Sequence, residues 1–162
     1  MPDLISHIGF GYLVGYRYKS SSWMALFLAA MILPDVITRA VYIVFPQLYW
    51  FVKPMHTPLG VILLSVLISG FFHKKARNKV MLYICAGGML HIFLDTLQKH
   101  MHGGYLLLFP FSWQPHEIGL IWPGETIYFT PMWIMVILFV ILWKNKPGKD
   151  DHQKLLPTES TK

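Results

Sequence analysis

His91 and Asp95 stand four residues apart at the end of an apolar run that begins at Val80. On a helix that spacing puts both side chains on one face, one turn apart. Imidazole nitrogen and carboxylate oxygen are ordinary ligands of a divalent transition metal. The same two groups can also form a simple buried hydrogen-bonded pair. Among the earlier residues of the same chemical kinds, His7, Asp35 and His56 join them as candidates. The five form a candidate metal set, with Asp35, Asp95 and Arg39 as candidate catalytic groups. Each earlier residue has a plainer reading. His7 stands where an interfacial helix would begin. Asp35 follows Pro34 and could cap the next segment, or pair with Arg39 one turn later. His56 lies between Pro54 and Pro58 and could be a loop histidine.

Other polar residues carry weaker signals. His102 would share the face of His91 only if the helix continued that far, and His100 would not. His116 and Glu117 could complete a second metal. Arg39 and Lys99 could orient a phosphate or neutralise a carboxylate. His73 belongs to a basic loop and His152 to a polar tail, so neither is given a catalytic role.

These residues must be positioned by elements that suit a bilayer. The chain has 162 residues, 54% of them hydrophobic, 15% aromatic and only 14% charged. A soluble domain carries about 25% charged residues. The net charge of +6 comes from short basic clusters between apolar runs. That is the pattern of membrane topology rather than of a nucleic-acid footprint. Cys85, in an apolar run, is the only cysteine and has no internal disulfide partner. The start, Met1-Pro-Asp-Leu4, lacks the basic region of a cleaved signal peptide. Insertion then relies on internal apolar segments.

The expected architecture is all-α: a polytopic membrane bundle of about four or five helices with an interfacial aromatic loop. Leu4–Tyr16 is the first apolar stretch, and Trp23–Leu33 the second, with Ser22 as its cap and Pro34 as its end. Val36–Val52, interrupted by Arg39 and Pro46, reads as surface-lying or re-entrant. Pro58–Phe72 and Val80 to about Lys99 are helices, and Gly103-Gly104 stops the latter. Gly87-Gly88 allows close approach of a neighbour. Tyr105–Tyr128 is the aromatic, proline-rich loop, and Phe129–Trp143 the last helix. Trp50, Trp113, Trp122, Tyr105 and Tyr128 fit an interfacial belt. Residues 1–146 form the embedded domain, and 147–162 a disordered cytoplasmic tail.

Loops rich in Lys and Arg stay in the cytoplasm. This places Arg17/Lys19, Lys74–Lys79 and Lys144–Lys149 inside. His7, Asp35, His56 and Asp95 then each fall at the far end of a helix from a basic cluster, with His91 one turn deeper. Two hairpins would bring all five into one layer near the non-cytoplasmic face. Ionisable groups at such a place are costly and usually functional.

His7-Ile-Gly9, Leu33-Pro-Asp35, His56-Thr57, His91-x-x-x-Asp95, Gly104 and Leu108-Phe-Pro110 occur in this order. The ordered set resembles the YdjM-like family of bacterial inner-membrane proteins, which are predicted membrane-bound metal-dependent hydrolases. The resemblance spans residues 4–143. The family often has His-Arg or His-Ser at the second histidine, where this chain has His56-Thr57-Pro58. A more distant likeness is to the zinc-dependent phospholipase C and P1 nuclease group. That likeness implies one or two zinc ions on His7, Asp35, His56, His91 and Asp95, with Asp95 as a bridge. The third-zinc pattern of that group is absent, because His116 is followed directly by Glu117.

The function these readings imply is hydrolysis of a phosphoester or lipid-linked substrate by metal-activated water, at the inner membrane. The partner would be membrane lipid and not nucleic acid. Two non-enzymatic alternatives stand beside it: a metal-binding protein of stress response, and a lipid-binding scaffold. A transporter is disfavoured, since transport sites sit near the bilayer midplane. The topology predicts that reporter fusions at Asn78 and Gly119 report opposite sides of the membrane; the same side for both contradicts it.

Overall fold

The computed structural model describes residues 4–15, 20–100, 103–122 and 124–144. The expectations for Arg17, Lys19, His102, Lys146, Lys149, His152 and the tail lie outside these residues. Among the described residues there are six helices: α1 Leu4–Gly15, α2 Ser21–Val44, α3 Tyr49–Val52, α4 Pro58–Gly70, α5 Lys74–Thr96 and α6 Thr130–Lys144. Short 3-10 turns cover Pro46–Leu48, Lys53–His56 and Glu125–Phe129. Among the described residues the only strand-like pairings are two isolated bridges, Gln98 with Ile121 and Tyr105 with His116. The fold is therefore all-α, with five longer helices and the one-turn α3.

Helices α2 and α5, of 24 and 23 residues, are apolar and long enough to cross a membrane. At 1.5 Å per residue each reaches about 35 Å, against about 30 Å of hydrocarbon. Pro46–His56 and α4 meet at 87° and together form a broken span or a re-entrant loop. Helices α1 and α6 are apolar but shorter.

Several boundaries differ from the sequence expectation. Helix α2 runs straight through Pro34 and ends at Val44. Proline removes one backbone donor, but Pro34 is buried between packed helices. Thr38 Oγ1 also donates to the Pro34 carbonyl at 2.8 Å. Packing against neighbouring helices helps a membrane helix keep an internal proline. Asp35 is thus an interior helix residue and not a cap. The chain breaks instead at Phe45-Pro46, where the pre-proline residue leaves the helical region.

The other end points move for similar reasons. Ser20, not Ser22, is the N-cap of α2. Helix α5 starts at Lys74 rather than Val80, and its cap His73 accepts from the Lys75 N–H through Nδ1. The basic residues 74–79 are therefore its first turns. It ends at Thr96, well before the glycine pair. The carbonyls of Thr96 and Leu97 accept from the N–H groups of Ile118 at 2.7 Å and Leu120 at 2.8 Å. The returning loop satisfies the helix end, which otherwise leaves carbonyls unpaired. Gly103 and Gly104 serve that loop, with φ of 81° and 98°, a region that suits glycine.

Helix α5 is central. Ala30 of α2 packs with Val80 and Ile84 of α5, flanked by Trp23, Leu26 and Ile68. Trp23 stacks on Tyr83 at 5.0 Å. The order of these contacts makes α2 and α5 parallel, with α1 and α4 antiparallel to them. Gly87 and Gly88 face different partners. A Cβ on Gly87 would collide with the Phe27 backbone and Ala30 of α2, and one on Gly88 with Val61 of α4. The glycine pair thus lets two helices approach α5 at once, more than the single neighbour its spacing suggests. Overpacking of this kind costs about 1–3 kcal/mol. Gly87→Leu is expected to lower the thermal midpoint in detergent by several degrees, while Gly70→Ala, in open space, falls only by the small helix-end effect; equal midpoints for wild type and Gly87→Leu would contradict the packing.

Candidate metal centre

Four segments deliver five ionisable side chains to one place. His7 comes from α1, Asp35 from α2, His56 from the 3-10 turn before α4, and His91 and Asp95 from α5. The chain can put them there because the start of α1, the middle of α2, the turn before α4 and the last turns of α5 fall at one level, as the antiparallel and parallel pairings require. Asp35, His56, His91 and Asp95 each offer a ligand atom within 4.8 Å of the others. His56 Nε2 is 3.0 Å from Asp35 Oδ1 and 3.1 Å from His91 Nε2. His91 Nε2 is 3.3 Å from Asp95 Oδ2, and His56 Nε2 is 3.7 Å from it. His7 joins from the other side, with Nε2 3.2 Å from Asp95 Oδ1. One carboxylate therefore faces His7 with one oxygen and the four-residue group with the other.

The chemistry of this donor set suits a cation. Two imidazole nitrogens at 3.1 Å cannot face each other as bare lone pairs, so a proton or a metal must lie between them. Neither Asp95 oxygen is held by a well-aligned hydrogen bond, although the group is 1% exposed. Buried carboxylates need pairing or a metal. Two neutral histidines and two carboxylates match a zinc-type set. The spacing of the atoms, about 3–4 Å, is what ligands 2.0–2.2 Å from one ion require.

The residue environment also sets the proton on His56. Thr38 Oγ1 donates to Pro34 O and lies 3.3 Å from His56 Nδ1. With its own proton committed, the hydroxyl accepts from Nδ1–H. That tautomer leaves the Nε2 lone pair facing the cluster, the arrangement that outer partners of metal-bound histidine enforce. Sequence spacing could have pointed to Thr38, three residues from Asp35, but a threonine in an apolar helix draws no attention by type.

Arg39 lies at the rim. Its Nη2 is 3.6 Å from Asp35 Oδ2, and its side chain is 39% exposed. Asp35 thus serves both readings at once, pairing with Arg39 through one oxygen and joining the cluster through the other. Lys99 places its Nζ 4.5 Å over the Trp122 ring. His116 pairs its backbone with Tyr105, and Glu117 accepts from the His100 N–H at 2.7 Å. None of these three is in the four-residue group. His73 caps α5 at an exposed position.

Tyr105 departs from the expected belt. Trp50, Trp113, Trp122 and Tyr128 are exposed, whereas Tyr105 is buried. Burial, and then the charge of the adjacent Asp95, push its phenol well above the usual range. It is a protonated donor beside a carboxylate.

Fold and site define a helical membrane protein with a buried His/Asp cluster able to hold a metal ion. The family model described as YdjM inner membrane protein matches residues 1–153, and the chain belongs to that family. No curated protein and no solved structure matches it.

In detergent-purified protein, His91→Ala and Asp95→Ala are expected to lose most bound metal, and His73→Ala to keep it. Thr38→Val should weaken metal affinity about 10-fold by freeing the His56 tautomer. Equal metal content across the four variants, read by elemental analysis, would remove the site.

Proposed function

We propose that this chain is a membrane-embedded, metal-dependent hydrolase acting on a phosphoester, most naturally a lipid-linked one, with zinc as the metal. The observation that carries the reading is the convergence of Asp35, His56, His91 and Asp95 with a half-exposed Arg39 at the edge. A divalent ion there supplies Lewis acidity and a water activated near neutral pH. Asp35, His56, His91 and Asp95 hold the ion. His7 holds the outer oxygen of Asp95 and would be the residue available to a second ion. Arg39, the charged group open to solvent, receives phosphate oxygens through its planar fork. The exposed Trp50 and Phe51 on the segment that carries His56 suit contact with an acyl chain or headgroup. In the bilayer the cluster lies on the non-cytoplasmic side, as the basic segments direct.

A second reading has one observation in its favour. His91 and Asp95 are each 1% exposed, and His56 only 11%. Four protein ligands without an open position make a structural metal site, whereas catalytic sites keep one position free. The chain would then bind metal without turnover, as a metal-holding membrane protein of stress response.

The two separate in one assay. Zinc-loaded protein is offered a short-chain phospholipid and a soluble phosphomonoester. The hydrolase reading expects turnover by wild type and none by Asp95→Ala. Arg39→Gln should keep its metal but lose about 10–100-fold in kcat/KM, or about 1.4–2.7 kcal/mol. Bound zinc with no turnover on either substrate favours the structural site.

A further inference from the structure

Tyr105 touches two ligands that come from different elements. Its ring stacks on His56, with centroids 6.0 Å apart and planes 26° from parallel. Its phenol feels the charge of Asp95, whose oxygens have no well-formed hydrogen bond of their own. The far edge of the ring meets His100, centroid to centroid 4.9 Å. His56 belongs to a 3-10 turn, where backbone hydrogen bonds are poor. Its ring is held by tertiary contacts: Thr38 at Nδ1, Asp35 and His91 at Nε2, and Tyr105 on the face.

The loop that carries Tyr105 is tied down at three places. The Tyr105 N–H donates to His116 O at 2.9 Å, and the His116 N–H returns to Tyr105 O at 2.8 Å. The carbonyls of Thr96 and Leu97 accept from Ile118 and Leu120. Lys99 N–H donates to Ile121 O at 2.9 Å. Loop placement and the C-terminal end of α5 are thus one arrangement, and Asp95 sits in the last turn of that helix.

We propose that Tyr105 is a positioning residue of the metal centre: its hydroxyl closes on Asp95 and its ring fixes the plane of His56, so that docking of residues 103–121 orients two of the ligands. His56 and His91 would serve the ion through lone pairs, and His7 faces the other oxygen of Asp95 at 3.2 Å. A phenol offers a proton without adding charge, the role that outer partners of a ligating carboxylate play. The inference rests on the cluster being a metal site, and not on hydrolysis.

Zinc affinity of the full-length, detergent-purified chain is measured by chelator competition, beside the thermal midpoint of the metal-free protein. Tyr105→Phe keeps the ring and removes the hydroxyl. It is expected to bind zinc about 10-fold more weakly with an unchanged metal-free midpoint. Gly104→Ala touches no ligand, but its Cβ would strike the His116 backbone at a φ of 98°. It should weaken zinc binding in the same direction by shifting the loop. Wild-type affinity in Tyr105→Phe overturns the hydroxyl's role, and wild-type affinity in Gly104→Ala overturns the role of loop docking. A wild-type chain that binds no zinc overturns this inference together with the metal site. Zinc binding without hydrolysis overturns the hydrolase reading alone.

Discussion

Two carboxylates buried in a membrane bundle must be compensated, and the arrangement of the whole molecule follows from how that is done. Asp95 is 1% exposed and is ringed by nitrogens of His7, His56 and His91. Asp35 divides itself between Arg39 and His56. Arg39 supplies one positive charge against two carboxylates, and the rest must come from a proton on a histidine or from a bound cation. An unpaired buried charge costs several kcal/mol. A divalent cation at the shared point removes that deficit with ligands already converged. The demand explains why four separate segments end at one place, and why Thr38 and Tyr105 are turned to polar use inside apolar surroundings.

The helices meet the demand through small residues. Gly87 and Gly88 let α2 and α4 lie against α5, and Gly11 lets α1 approach Met31 and Leu28 of α2. Without that close approach, His7 and His56 would stand too far from Asp95 to share it. The fold thus links helix contact in the apolar half of the bundle to ligand spacing in the polar layer. The loop after α5 performs the same service at the helix end. It satisfies the carbonyls of Thr96 and Leu97 and brings Tyr105 onto the cluster.

The sequence carried much of this because ionisable residues stand out in apolar segments. The four-residue spacing of His91 and Asp95, and the distance of each candidate from a basic cluster, were enough to expect the five in one layer. The all-α membrane class and the need for small residues at Gly87-Gly88 were equally legible. Local rules failed where tertiary surroundings outweighed them. Pro34 does not end a helix in which it is buried against its neighbours. Gly103-Gly104 does not set the end of α5, because residues 118–120 do so from a distance in sequence. Thr38 and Tyr105 were missed since their types have ordinary roles in any membrane helix or aromatic loop.

The central claim is that Asp35, His56, His91 and Asp95 hold one divalent ion. Metal-edge X-ray absorption on zinc-loaded protein tests it most directly, since it reports ligand type without assuming turnover. The account predicts a first shell of nitrogen and oxygen only, at about 2.0–2.2 Å, with outer scattering from two imidazoles that weakens in His91→Ala. A sulfur shell at about 2.3 Å, or a spectrum unchanged in His91→Ala, would contradict it.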